Sequence, residues 1–241
     1  NIGAEGQLYA GALAAWAGFT LPSAVVLILF ALGISNDSHA LPSGALHGLK
    51  VVAVAVVAQA VWGMARNLCA GVLRITIMAI AACAVLLVPS VWAQGGVIVV
   101  AGIAGLLLIK PAQDGVHDPL PITVSRRTGV VWLTLFFALL VGLPVLAQAM
   151  PNPITALIDA FYRAGALVFG GGHVVLPLLQ AQVVPSGWVS NDVFLAGYGA
   201  TQAMPGPLFT FAAFLGASMG TSLSGWLGGI VCLLAIFVPS F

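Results

Sequence analysis

Apolar residues fall into eight stretches that are separated by short polar junctions. The stretches cover residues 8–34, 45–65, 72–92, 95–110, 129–149, 155–184, 193–219 and 222–241. An α-helix needs about 20 predominantly apolar residues to cross the hydrocarbon core of a bilayer, and most of the stretches have about that length or more. The pattern therefore predicts an all-α integral membrane protein with about eight hydrophobic segments.

Composition agrees with this pattern and excludes several classes of function. Hydrophobic residues make up 61% of the 241 residues and charged residues 5%, which is far outside the range of soluble domains. Seven cations are too few and too scattered for a nucleic-acid-binding surface. The chain has no nucleophile elbow, HExxH helix, P-loop or dinucleotide fingerprint, and its three cysteines lack the close spacing of a metal site. We therefore expect a non-enzyme with no cofactor and no bound metal.

The distribution of cations predicts the orientation of the first five crossings. One junction carries Arg66 and Arg74, and another, two crossings later, carries Lys110, Arg126 and Arg127. Loops rich in Lys and Arg face the cytoplasm, so both junctions are placed inside and residues 35–44 outside. The loop at residues 185–192 has no cation, and charge therefore leaves open whether the 155–184 stretch crosses once or re-enters.

A faint internal repeat predicts duplicated halves. Residues 11–23 align with 228–240, and the matched pairs are Gly11 with Gly228, Pro22 with Pro239 and Ser23 with Ser240. An odd number of crossings separates the matched segments if each stretch spans once, so the halves would be inverted, as in many transporters. We assign residues 1–110 to the remainder of a first half, 111–128 to a cytoplasmic linker and 129–241 to a second half. The chain is expected to be truncated at both ends.

Two segments interrupt the helical pattern at membrane depth. The first, "LVFGGGHVVLPLLQ", contains Gly170, Gly171 and Gly172, each costing about 1 kcal/mol relative to alanine in a helix, and Pro177, which removes a backbone hydrogen bond. The second, "TQAMPGPLFT", contains Pro205, Gly206 and Pro207, with Gln202 one turn earlier. Non-helical backbone survives in a membrane only where it is buried in protein or lines a wet cavity. We therefore expect both interruptions to line a cavity.

The predicted cavity suits an anion, although each polar residue also has a simpler interpretation. A helix that restarts after a break directs free N–H groups and partial positive charge at the gap. Arg163, two turns before Gly170, would neutralise an oxyanion, or it merely pairs with Asp159 at i,i+4. His173 would donate to an anion or carry a proton, or it is simply hydrogen-bonded in a polar pocket. The glycines could instead serve close helix packing.

Acidic residues are scarce and are expected in loops or near the ends of segments. They are Glu5, Asp37, Asp114, Asp118, Asp159 and Asp192. This distribution predicts no buried carboxylate cluster for cation coupling. Coupling to protons or to a counter-anion stays open.

The sequence resembles the chromate ion transporter (CHR) family. "FYRAGALVFGGGHVVLPLL" at 161–179, followed by "YGATQAMPGPLFTFAAFLG" at 198–216, is similar to the second half of that family. The linker "KPAQDG" looks like its inter-half connection, and "GFTLPSAVVLILFALG" at 18–33 looks like the helix that follows its first PGP motif. That first motif would lie before residue 1.

The resemblance implies a multi-pass protein of the bacterial or archaeal plasma membrane that exports chromate and confers chromate resistance. The family's motifs fall on Phe169, Gly170, Gly171, Gly172, His173 and Pro177, and on Pro205, Gly206 and Pro207. With Arg163 and Gln202, these residues apart from Pro177 form the hypothetical substrate site of an alternating-access carrier. Sulfate transport, a non-transporting scaffold and an intramembrane enzyme are the rival hypotheses. The expected partners are the anion and the lipid bilayer, and a homodimer stays open.

Overall fold

All regular structure described in this chain is helical. The computed structural model describes residues 5–36, 43–88, 91–109, 126–150, 152–168, 172–221 and 223–240. The α-helices are α1 (Glu5–Asn36), α2 (Ser43–Leu68), α3 (Val72–Leu87), α4 (Val91–Leu108), α5 (Arg126–Ala149), α6 (Pro153–Ala166), α7 (Val175–Val183), α8 (Asn191–Gln202), α9 (Phe211–Ser218) and α10 (Gly225–Phe237). Short 3₁₀ turns occupy Gly172–Val174, Leu208–Thr210 and Val238–Ser240. The all-α fold class is confirmed.

Several helices are long and apolar enough to cross a membrane. Three spans in the described chain meet both conditions, Ala10–Ile34, His47–Leu68 and Arg126–Ala149. Helices α3 and α5 contain no buried residue, and large apolar side chains such as Val72, Leu86 and Val130 are exposed on them. Lipid tails solvate such surfaces, whereas water would not. The multi-pass membrane location is confirmed.

Two of the predicted stretches are divided into pairs of shorter helices. The 155–184 stretch becomes α6 and α7, and the 193–219 stretch becomes α8 and α9. At a rise of 1.5 Å per residue, α7 and α9 are only about 12–14 Å long, too short to cross a hydrocarbon core of about 30 Å. The helix interruptions predicted from glycine and proline are therefore present.

The chain forms two compact units. One comprises Ala58–Val130, in which α3 packs against α4. The other comprises Asn1–Val57 and Val131–Phe241, and α9 lies at its centre, in contact with α1, α8 and α10. Phe211 to Ala217 of α9 are all buried. The proposed division into two halves and a linker stays a prediction, and residues 110–125 of that region lie outside the described ranges.

Local sequence explains where the helices of the second unit begin. Asn152 caps α6 by accepting a hydrogen bond from the Ile154 amide at 3.0 Å, and Pro153 occupies the first helical position, where no N–H is needed. Ser190 caps α8 in the same way, accepting from the Val193 amide at 3.3 Å. Gly187 has a φ of 71° in the turn between α7 and α8, a conformation that favours glycine.

Glycines allow α9 and α10 to touch backbone to backbone. A Cβ atom on Gly216 would collide with the carbonyl oxygen of Gly228, and a Cβ on Gly228 would collide with that of Gly216. Small residues give this close approach between helices in membranes, where packing replaces the hydrophobic effect as the driving force. The crossing holds α9 against α10 and so keeps the short helix at the centre of its unit.

We predict that Gly216→Ala destabilises the protein. Overpacking costs about 1–3 kcal/mol, which exceeds the gain of up to about 1 kcal/mol from better helix propensity. Gly18→Ala in α1 is the matched control, because a Cβ atom added at Gly18 would meet no other atom within 4 Å. Thermal unfolding in detergent should show a lower midpoint for Gly216→Ala and an unchanged or higher midpoint for Gly18→Ala. Equal midpoints would contradict the close crossing.

Candidate functional site

The two helix interruptions meet at one cavity. The cavity has a volume of about 390 Å³ and is lined, among the described residues, by Gly172, Thr201, Gln202, Met204, Gly206, Pro207, Leu208 and Phe209. Gly172 contacts the second interruption directly, since a Cβ atom added there would lie 2.9 Å from Cβ of Leu208. The structure thus brings together two sequence motifs that are more than 30 residues apart.

The second interruption leaves backbone amides without backbone partners. Ala203 and Met204 still donate to the carbonyls of Ala200 and Thr201, at 3.1 and 3.2 Å, which ends α8. Beyond them, the amides of Gly206, Leu208 and Phe209 donate to no backbone carbonyl in the described chain, and the two prolines have no N–H. All three residues with spare amides line the cavity. They precede α9, so the partial positive charge of the restarting helix adds to them.

Gln202 also lines this cavity. Its Nε2 atom is buried and has no hydrogen-bond partner among the described residues. Tyr198 lies one turn earlier on α8 and interacts with the Gln202 side chain. The neighbouring Thr201 hydroxyl is already committed, because it donates to the carbonyl of Gly197 at 2.8 Å. Gln202 therefore places a buried side-chain amide beside the cavity.

Arg163 forms the ion pair that the sequence offered as its simpler interpretation. Its Nη2 atom lies 2.6 Å from Oδ2 of Asp159, one turn earlier on α6. Arg163 is not among the described residues that line the cavity. Its Nε atom and Oδ1 of Asp159 are buried and have no partner in the described ranges.

The placement of Asp159 adds burial to what the sequence indicated. It lies in the second turn of α6, near the start of the predicted 155–184 stretch, and is 5% exposed. The pairing with Arg163 explains why a carboxylate is tolerated there, because a buried charge is stable only when it is paired. The small number of acidic residues in the sequence does not indicate that Asp159 is buried.

The first interruption is described only in part. Phe169, Gly170 and Gly171 lie outside the described residues, as does the side chain of His173. The backbone of Gly172–Val174 forms a 3₁₀ turn that leads into α7. Pro177 lies in the first turn of α7 and is exposed, a position where a missing N–H costs less than in a helix interior.

Sequence reasoning missed Ser23 as part of this region. The Ser23 hydroxyl on α1 donates to the carbonyl of Pro205 at 2.7 Å, across 182 residues of chain. The repeated Pro-Ser pair at Pro22 and Ser23 was a signal at this position, although it served only to indicate duplication. Phe209 was also missed, and its ring packs against that of Phe237 with centroids 5.6 Å apart.

The fold and the cavity define a multi-pass helical membrane protein with interrupted helices, and comparison identifies its family. The family model described as chromate transporter matches residues 2–108 and 155–241, which is more than half of the chain. The chain therefore belongs to the chromate transporter family. No solved structure matches it.

Individual relatives cover different parts of the chain. The chromate transport protein of Pseudomonas aeruginosa is 33% identical over 79 residues, or 33% of this chain and 18% of the relative. The uncharacterized transporter YwrA of Bacillus subtilis is 41% identical over 86 residues, or 35% and 46%. The uncharacterized transporter MJ0718 of Methanocaldococcus jannaschii is 24% identical over 237 residues, or 96% and 56%. The alignments thus span less than two thirds of each of these relatives.

We predict that the Asp159–Arg163 pair is coupled in stability. Arg163→Leu leaves a buried carboxylate without its partner and should lower the unfolding midpoint, because an unpaired buried charge is costly. The double variant Asp159→Asn/Arg163→Leu should recover part of that loss. Thermal unfolding of the wild type, both single variants and the double variant measures the coupling. Strictly additive changes would contradict a structural pair.

Proposed function

We propose that this protein transports chromate across the membrane and that the cavity between the two helix interruptions is its substrate site. The observation that carries the proposal is the group of amides at Gly206, Leu208 and Phe209, which donate to no backbone carbonyl in the described chain and belong to residues that line the cavity, as does Gln202. Membership of the chromate transporter family supports the choice of anion. The P. aeruginosa relative, which matches part of the chain, is named a chromate transport protein.

The chemistry of the cavity favours a negatively charged guest. Its described lining offers N–H donors and includes no acidic side chain. Donors held by a fixed backbone need no reorganisation to meet an anion, and the start of α9 contributes positive potential. The volume of about 390 Å³ equals that of roughly a dozen liquid waters, at about 30 Å³ each. A tetrahedral oxyanion therefore fits with part of its hydration shell.

Residues around the first interruption complete the proposed site. We assign Phe169, Gly170, Gly171 and His173 to it, together with Gly172, which lines the cavity. Arg163 contributes positive potential through the guanidinium edge that Asp159 does not occupy, since its Nε atom has no partner in the described chain. The proposed site thus combines residues of two separate segments, Gly172 from the first interruption and Gly206, Leu208 and Phe209 from the second.

Alternating access is the mechanism that we propose, because interrupted helices at a substrate site are a feature of transporters that use it. Short helices that restart at a substrate site let one half move against the other while the site stays intact. The membrane potential, negative inside, drives a dianion outward with about 4.6 kcal/mol per 100 mV. Export lowers the cytoplasmic chromate level and would confer resistance. Coupling to protons or a counter-anion is not needed for this direction.

The first test removes the side-chain donor of the site. Gln202→Leu should raise the KM for chromate about 10- to 100-fold, because a hydrogen bond to a charged group contributes about 1.5–3 kcal/mol. Gln180→Leu is the matched control, since Gln180 is exposed on α7 and bonds Asn191 at 2.9 Å. The flux of radioactive chromate into liposomes gives the KM of each variant. An unchanged KM in Gln202→Leu would remove Gln202 from the site.

The same assay distinguishes chromate transport from transport of other tetrahedral oxyanions and from a non-transporting scaffold. Excess sulfate that leaves chromate flux unchanged supports chromate specificity, whereas full competition indicates a general tetrahedral-oxyanion carrier. In a cell-based accumulation assay, Arg163→Ala should reduce the flux of chromate through the protein. Absence of flux in the wild type, with chromate accumulation unchanged in every variant, would favour a non-transporting scaffold.

Transport of a dianion should depend on the membrane potential. We predict that an inside-negative potential, set by a potassium gradient with valinomycin, accelerates chromate efflux from liposomes and slows uptake. Reversal of the potassium gradient should reverse both effects, since each transported charge gains about 2.3 kcal/mol per 100 mV. Efflux and uptake rates that do not change with the membrane potential would show that transport is electroneutral and therefore coupled to another ion.

A further inference from the structure

A single hydroxyl group from a distant helix contacts the Pro205–Pro207 turn. Ser23 of α1 is 4% exposed, and its Oγ donates to the carbonyl oxygen of Pro205 at 2.7 Å. Regular helical bonding does not satisfy this carbonyl, because the amides of Leu208 and Phe209, its 3₁₀ and α-helical partners, donate to no backbone carbonyl in the described chain. Ser23 thus supplies the partner that the broken helix lacks.

The contact depends on a glycine in the turn. A Cβ atom on Gly206 would collide with Oγ of Ser23 and would lie 3.0 Å from its Cβ atom. It would also lie 3.5 Å from the carbonyl oxygen of Phe19. Gly206 is therefore packed directly against one turn of α1, and only a residue without a side chain permits the Ser23 hydrogen bond.

We propose that Ser23 is a positioning residue for substrate binding, which acts by holding the Pro205–Pro207 turn so that the amides of Gly206, Leu208 and Phe209 keep their place at the cavity. This inference rests on the proposed function of the cavity. Ser23 is not among the described residues that line the cavity, so it acts through the turn and not by contact with the anion. The hydrogen bond connects α1, near the start of the chain, to donors that lie about 180 residues later.

The neighbouring Thr20 supplies a matched control. Thr20 lies on α1 one turn before Ser23 and is 1% exposed, and its hydroxyl has no hydrogen-bond partner among the described residues. Thr20→Val removes a buried hydroxyl of α1 at nearly constant volume, without removing a hydrogen bond. A general effect of hydroxyl loss in α1 should appear in both Thr20→Val and Ser23→Ala, whereas a positioning effect should appear only in Ser23→Ala.

The experiment combines transport kinetics with hydrogen exchange. In the purified protein reconstituted in liposomes, Ser23→Ala should raise the KM for chromate about tenfold and leave the maximal rate within about twofold, as expected for loss of one ordinary hydrogen bond. Hydrogen–deuterium exchange in a peptide that covers residues 203–210 should become about tenfold faster. Thr20→Val should leave both quantities within about twofold of the wild type.

A second variant tests the same contact from the other side. Gly206→Ala should displace Ser23 and raise the KM by a similar factor. The double variant should be no worse than the worse single variant, because both changes break one contact. If Ser23→Ala does not give monodisperse protein, the KM of Gly206→Ala and its hydrogen–deuterium exchange in residues 203–210 test the inference instead.

Failure of this inference is distinguishable from failure of the proposed function. A wild-type protein that neither binds nor transports chromate refutes the proposed function, and with it the role of Ser23 in substrate binding. A wild type that transports chromate while Ser23→Ala keeps its KM and its exchange rates overturns the inference alone. Equal effects of Ser23→Ala and Thr20→Val would likewise overturn it.

Discussion

Backbone amides and carbonyls that leave a helix inside a membrane must find partners in the protein, because lipid offers none. The rest of the architecture around α9 follows from this requirement. The chain breaks between α8 and α9 at two prolines and a glycine, and the exposed backbone groups are then met from elsewhere. Ser23 satisfies the carbonyl of Pro205, while the amides of Gly206, Leu208 and Phe209 donate to no backbone carbonyl in the described chain. Under the proposed function, these donors, and not the broken helix itself, attract the anion.

Close packing makes such a break tolerable. Helix α9 has eight residues and could not stand alone, because isolated helices of that length are unstable in water and too short to cross a bilayer. It is stable here because α1, α8 and α10 surround it and because Gly216 and Gly228 let two backbones touch. Glycine therefore has two roles in this protein. In the α9–α10 crossing it permits helix contact, and at Gly206 it permits a hydrogen bond to the break.

Within the described core, charged side chains are few and are concentrated in one pair on α6. Asp159 and Arg163 form a pair on α6 that largely cancels, so Arg163 offers less positive potential than an isolated arginine would. Both side chains nevertheless keep one polar atom without a partner in the described ranges. Under the proposed function, neutral N–H groups at the cavity provide the attraction for the anion. Such donors favour an anion without the cost of burying a full positive charge.

The helical class, the membrane location and the two interruptions could be predicted from the sequence, because each depends on local properties. Apolar stretches of about 20 residues specify membrane helices, and consecutive glycines or a Pro-Gly-Pro motif disrupt helical bonding wherever they occur. The family resemblance was likewise carried by local motifs and is confirmed by the family match. The inverted repeat and the assignment of the halves stay predictions.

Only the tertiary structure decided which groups meet. The sequence placed Asp159 near the end of a segment, and only packing shows that it is buried there. The sequence also indicated Ser23 as a marker of duplication, whereas folding brings it to Pro205. Contacts between residues 182 positions apart leave no local pattern, since they depend on how α1 packs against α9 and the turn before it. The sequence by itself thus determined where the helices break, and the packing of distant helices decided which of the freed backbone groups find a partner within the described chain.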